Sequence, residues 1–335
     1  MIILQTIKTH GPALKSFYYH RELPEDVENM KGVVLVLHGL EGHGLRYRYF
    51  AKKLAKEGYG VFAIDHIGHG LSIYEKSELG DWKGQDFEKS SVNIYYLASE
   101  IKKHYGNPPI FLAGFDFGGF FAQFLIHKHP AKFDGVILSG CGKNNFRQYR
   151  LYALATLRHV LLPSRSRSTV IYKKRLSGFS KAYAPVKTRY DWLSDDQNEV
   201  EKFILDPLCG FTGTIGYYHE YYSNVIRIPE KLHFRKTKKD IPLLFIYSTN
   251  DVVTHRGKDT KRLVSFFKKK GFNNISTHEY KTPRHDIFFN KNKDQIIERT
   301  IQWLNSQKEF VKGKNFEKSE SENKKTLSLL KNEKF

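Results

Sequence analysis

PIFLAGFDFGG (109–119) is the stretch from which the rest of the chain can be read. Residues 109–115 are apolar or small, as in a strand buried on both faces, and Gly119 to His129 has the composition of the helix leaving it. Between them GFDFGG (114–119) places Asp116 where strand turns sharply into helix. The small residues on either side permit a strained backbone that pushes the side chain at 116 outward.

Reading outward, strand and helix signals alternate, the pattern of a mainly parallel sheet flanked by helices. GVVLVLHG (32–39), GYGVFAID (58–65) and FDGVILSG (133–140) read as buried strands, with helices expected over 47–58 and 88–105. The alternation fails over 143–239, a basic, aromatic, helix-like insertion expected to be a cap. It resumes with a strand in IPLLFIYSTND (241–251), a helix over 260–270, a strand in NISTHEY (274–280) and a closing helix over 294–306. The expected organisation is therefore a core in two parts, 1–142 and 240–307, the 143–239 cap, and a polar, mobile tail over 308–335. A weakly helical tail carrying TLSLL (326–330) is the alternative.

Three features accompany Asp116 in the order that nucleophile chemistry on such a sheet requires. HGLEGHG (38–44) follows a buried strand, so the N–H of Leu40 can face the turn and, with the N–H of Phe117, form an oxyanion hole. Asp251 ends a buried strand, where its carboxylate can orient an imidazole, and His285 in TPRHDIFFN (282–290) follows the last strand, where it can serve as general base. Each residue alone has an ordinary meaning as a turn, cap or solvated group, and their joint placement favours a catalytic set. His38, His43, His66 and His69 read as structural groups around the site, and Asp286 as a poor rival to Asp251.

Composition restricts partners. The formal charge is +20, and residues 143–239 hold 19 Lys plus Arg against 8 Asp plus Glu. A field of that sign suits an anionic membrane surface, while a solvated Lys-rich face is equally ordinary. No finger spacing, recognition-helix signature or phosphate-binding glycine motif accompanies it, so nucleic acid is not an expected partner. There is no signal-peptide pattern and no run of about 18 apolar residues, which reads as a cytoplasmic chain, peripheral at the inner membrane surface at most. The cysteines, Cys141 and Cys209, have no metal spacing and read as buried thiols. No cofactor and no metal are expected.

HGLEGHGLRYRYFAKKLAKEGYGVFAIDHIGHGLS (38–72), DWLSDDQNEVEKFILDPLCGF (191–211) and PRHDIFF (283–289) resemble the monoacylglycerol lipase and lysophospholipase family of serine hydrolases, over about residues 32–304. The resemblance implies an α/β-hydrolase fold and a lipid-like substrate, with nucleophile, acid and base carried onto Asp116, Asp251 and His285. The departure is at 116, where that family has serine. A carboxylate attacking an ester would form an anhydride while expelling a more basic alkoxide, and would collapse backwards. Attack on saturated carbon instead leaves an ordinary alkyl ester, which activated water can hydrolyse. The GFDFGG elbow is similar to those of epoxide hydrolases and haloalkane dehalogenases. Phe117 stands where dehalogenases hold a halide-binding tryptophan. Tyr149, Tyr152, Tyr217, Tyr218, Tyr221 and Tyr222 are candidates for the oxygen-donating tyrosines of epoxide hydrolases. Three readings stay open: an Asp-His-Asp hydrolase of a lipid-like substrate, an epoxide-hydrolase-like reaction, and an inactive relative that binds lipid or anionic membrane.

Overall fold

The computed structural model describes residues 17–82, 87–231 and 234–307. The expected tail over 308–335 lies outside the described residues. Among these, seven strands form one sheet: β1 Tyr19–Glu22, β2 Gly32–Leu37, β3 Tyr59–Ile64, β4 Ile110–Phe115, β5 Gly135–Ser139, β6 Leu243–Ser248 and β7 Ile275–Tyr280, in the order β1-β3-β2-β4-β5-β6-β7. All neighbours pair in parallel except β1, which runs antiparallel to β3 with Tyr19 opposite Ile64. The fold is that of an α/β-hydrolase. β1 was not foreseen, because YHRE is too short and polar to read as a strand.

Alternate residues of each central strand feed two cores. Val33, Leu35 and Leu37 of β2 join Ile110 and Leu112 of β4 on one face, while Val34 and Val36 join Phe111, Ala113 and Phe115 on the other. The first face is covered by α2 (Phe87–His104), α3 (Phe117–Lys128) and α8 (Lys258–Lys269), the second by α1 (Arg48–Lys56) and α9 (Lys293–Ser306). Burial on both sides explains why these strands read as unbroken apolar runs.

Between β5 and β6 the chain leaves the sheet and forms α4 (Phe146–Leu161), α5 (Thr169–Leu176), α6 (Gln197–Leu205) and α7 (Ile215–Lys231). Local chemistry starts three of them. Asn145 and Gln148 form a capping box on α4, and the side chains of Ser168 and Asp196 accept from the first turns of α5 and α6. α7 packs along α4 and reaches α3, so the insertion sits over the elbow.

Candidate active site

β4 ends at Phe115 and α3 begins at Phe117, leaving a single residue for the turn. That residue, Asp116, has φ +47° and ψ −111°, a conformation strained for any side chain. The turn is possible because Gly118 has no Cβ: one built there would lie 1.9 Å from the carbonyl oxygen of Leu37. The expected helix start at Gly119 is thus two residues late, because the elbow takes one residue only.

The structure brings the five residues anticipated from sequence to one place. The N–H of Leu40 donates to Asp116 Oδ2 at 3.1 Å, and the N–H of Phe117 also supports this carboxylate. The other oxygen, Oδ1, lies 3.8 Å from His285 Nε2. On the far side of the ring His285 Nδ1 is 3.2 and 3.1 Å from the two oxygens of Asp251. Asp251 is itself fixed by the N–H of Val253 at 2.9 Å and the hydroxyl of Thr254 at 2.8 Å. The His285 N–H donates to the carbonyl of Trp192, whose ring centroid is 5.3 Å from the imidazole, so the insertion helps hold the histidine loop.

Asp116 retains 21% of its side-chain exposure, whereas His285 and Asp251 are buried, so the carboxylate is the member of the set that meets solvent. Burial pulls the His285 pKa down, but the charges of Asp251 and then Asp116 outweigh it and raise it to about 9. The carboxylates on either side of the ring thus favour its protonated form. Burial pushes the Asp116 pKa up, opposed by His285, by the Leu40 N–H and by Arg175.

The neighbouring groups fall into place. Asp286 pairs with Arg46 at 3.1 Å. His38 donates to or accepts from its surroundings through the Gly39 carbonyl and the His66 N–H, and His69 meets the Tyr217 hydroxyl at 2.9 Å. His43 binds Asp206 at 2.8 Å. With Cys209 these two bring possible ligand atoms within 4.8 Å of one another, but the hydrogen bond and the cation of Arg46 beside them account for the group without an ion. Cys141 and Cys209 are free and buried.

The six candidate tyrosines separate. Tyr149 is exposed on α4, and Tyr152 stacks on His219. Tyr217 is engaged by His69, and Tyr218 by the Gly213 N–H and Glu41. Tyr221 is buried with its ring 5.5 Å from Phe117, and after burial the charge that most raises its pKa is Asp116. Sequence reasoning missed Glu41 and Arg175, whose side chains pair at 2.5 Å within this same neighbourhood. No local motif links positions 134 residues apart in an insertion and a loop.

A family model described as serine aminopeptidase, S33, matches residues 28–292. A monoglyceride lipase homolog of Monkeypox virus is 27% identical over 230 residues, 67% of this chain and 72% of the viral protein. Rat monoglyceride lipase is 32% identical over 108 residues, 32% of this chain and 34% of the rat protein. Among solved structures, a thermostable carboxyl esterase from Bacillus coagulans aligns with TM-score 0.81 at 21% identity, covering 91% of this chain and 98% of that one. A monoacylglycerol lipase from Paleococcus ferrophilus aligns with TM-score 0.64 at 22% identity, covering 87% and 99%.

Proposed function

The chain belongs to the serine aminopeptidase S33 family of α/β-hydrolases, and from that premise we propose that it hydrolyses a lipid-like substrate by alkylation of Asp116 at saturated carbon, an epoxide being the fitting electrophile. The observation that carries this is the division of labour between the carboxylate oxygens. Oδ2 is held by the Leu40 N–H, while Oδ1 lies 3.8 Å from His285 Nε2. A lipid-like substrate is supported by the relatives named monoglyceride lipase and by the aromatic surroundings of Phe117 and Tyr221.

In the first half of the reaction Oδ1 attacks an epoxide carbon, the C–O bond breaks, and the alkoxide takes the proton of Tyr221. The tyrosinate regains its proton from His285, which loses it readily because esterification has removed the Asp116 charge that raised its pKa. In the second half neutral His285, oriented by Asp251, takes a proton from water. The hydroxide attacks Asp116 Cγ, and the developing charge on Oδ2 falls where Leu40 and Phe117 donate. Collapse breaks the Cγ–O bond to the alkyl group, the leaving alkoxide takes from His285 the proton that came from water and departs as the diol, and the new carboxyl group then gives its proton to His285. Residues 143–239 act as the cap over this site.

The test is a single turnover of a long-chain epoxide in 18O-water. The first diol should carry unlabelled oxygen, donated by Asp116, and Asp116→Asn should form none. Label appearing in the first-turnover diol at full yield would mean that water attacks the substrate directly, and the alkyl-enzyme reading would fail.

The insertion also carries an exposed apolar edge: Phe146, Leu157, Val160 and Leu161 of α4 are exposed, with the exposed Arg150 beside the Phe146 ring. This supports contact with an anionic membrane surface, the apolar side chains entering between headgroups. Vesicles containing phosphatidylserine should float the protein while neutral ones do not, and Val160→Asp/Leu161→Asp should abolish flotation. Equal recovery on both vesicles would remove the electrostatic part of this reading.

A further inference from the structure

Glu41 directly follows the oxyanion donor Leu40, and its backbone lies at φ +62° although it is not glycine. Such a conformation persists only where the surroundings over-determine it. Glu41 is 2% exposed, and a buried carboxylate needs a partner. Among the described residues its partners come from the insertion. Arg175 Nη2, at the end of α5, lies 2.5 Å from Oε2; the Tyr218 hydroxyl of α7 donates to Oε1 at 3.5 Å; and the N–H of Gly210 donates to the Glu41 carbonyl at 3.0 Å. α5 is in turn gripped by Arg147 of α4, whose guanidinium donates to the carbonyls of Arg175 and Ser177 at 2.7 and 2.8 Å.

We propose that Glu41 and Arg175 are positioning residues, whose buried ion pair ties the helical insertion to the oxyanion loop and holds the Leu40 N–H on the oxygen of residue 116. The hole is then complete only while α5 is docked, so movement of the insertion to admit a substrate also loosens the groups that stabilise charge on it. The inference deepens the proposed function and rests on its reading of Leu40 as an oxyanion donor.

The test reads the Leu40 amide itself in the full chain. Protein carrying carbonyl-13C glycine and 15N leucine gives Gly–Leu amide signals for Leu40, Leu45 and Leu71, the leucines preceded by glycine, and Leu40→Met removes the first. In Glu41→Gln/Arg175→Met, which removes both buried charges together, the Leu40 signal should move and its hydrogen exchange should accelerate roughly ten-fold or more, with Leu45 and Leu71 unchanged. The melting temperature should stay near that of wild type, because neither charge is left unpaired. A Leu40 signal with the wild-type shift and exchange rate in this double variant overturns the inference. If the double variant does not fold, Arg175→Lys decides instead: it keeps the charge but loses the planar fork, so exchange at Leu40 should be faster than in wild type, and a wild-type rate overturns the inference. No substrate enters this measurement. A displaced Leu40 signal in a protein that opens no epoxide would therefore sink the proposed reaction and leave the tether standing.

Discussion

Asp116→Ser is expected to give the chain an ester hydrolase activity at least about a hundred-fold above wild type, since an oxyanion hole and a positioned base are each worth roughly 10² or more. In wild type the Leu40 N–H is occupied by Asp116 Oδ2, so a carbonyl oxygen meets a filled hole and a like-charged carboxylate. Serine vacates it. The new hydroxyl would lie beside His285 Nε2, with Asp251 already on Nδ1, and serine attack exchanges one alkoxide for another of similar basicity, so the acyl-enzyme can form, where a carboxylate gives an anhydride that collapses backwards. The pH dependence has a definite sign. His285 stands at about 9 partly because of the Asp116 charge, which raises its pKa. Without that charge the base deprotonates at lower pH, so the ester activity of the variant should rise with pH and level off below 9. Assay of a short-chain aryl ester and a monoacylglycerol across pH 5 to 10 checks this. A variant silent on both would mean that the site lacks lipase geometry apart from its nucleophile.

How far the sequence could lead follows from what each residue needs. Asp116, Leu40, Phe117 and Asp251 were legible because each follows a strand whose apolar run marks it, and His285 because PRHDIFF follows the last strand and resembles a histidine loop; the parallel sheet brings these strand ends to one edge. The state of the site was not legible. That Asp116 places an oxygen against the Leu40 N–H depends on a side-chain torsion, and the upward push on the His285 pKa depends on two carboxylates 135 residues apart flanking one ring. The Glu41–Arg175 pair was hidden for a related reason: its members belong to a loop and to an insertion whose packing no periodicity encodes. β1 escaped because an edge strand of four residues has no room for a pattern.

His285→Ala should separate the two halves of the proposed reaction. Alkylation needs the Asp116 anion and an electrophile; hydrolysis of the resulting ester needs a base, whose loss costs about 10² to 10⁴ in rate. The variant exposed to a long-chain epoxide should therefore gain the mass of one substrate per chain within minutes, and peptide mapping should place the adduct on Asp116. The charge balance adds a second signature. The imidazolium lowers the Asp116 pKa, against a burial effect that raises it. Removing the ring leaves burial less opposed, so a larger part of Asp116 is protonated, and adduct formation should move to higher pH than the acid limb of wild-type turnover. Asp251→Asn should behave differently, because it leaves a ring that can still act as base but has lost its charged acceptor at 3.1 Å; slow turnover with little accumulated adduct is expected. An unmodified His285→Ala protein that also forms no diol would mean that the histidine is needed before the ester forms, and the separation of the two halves would fail.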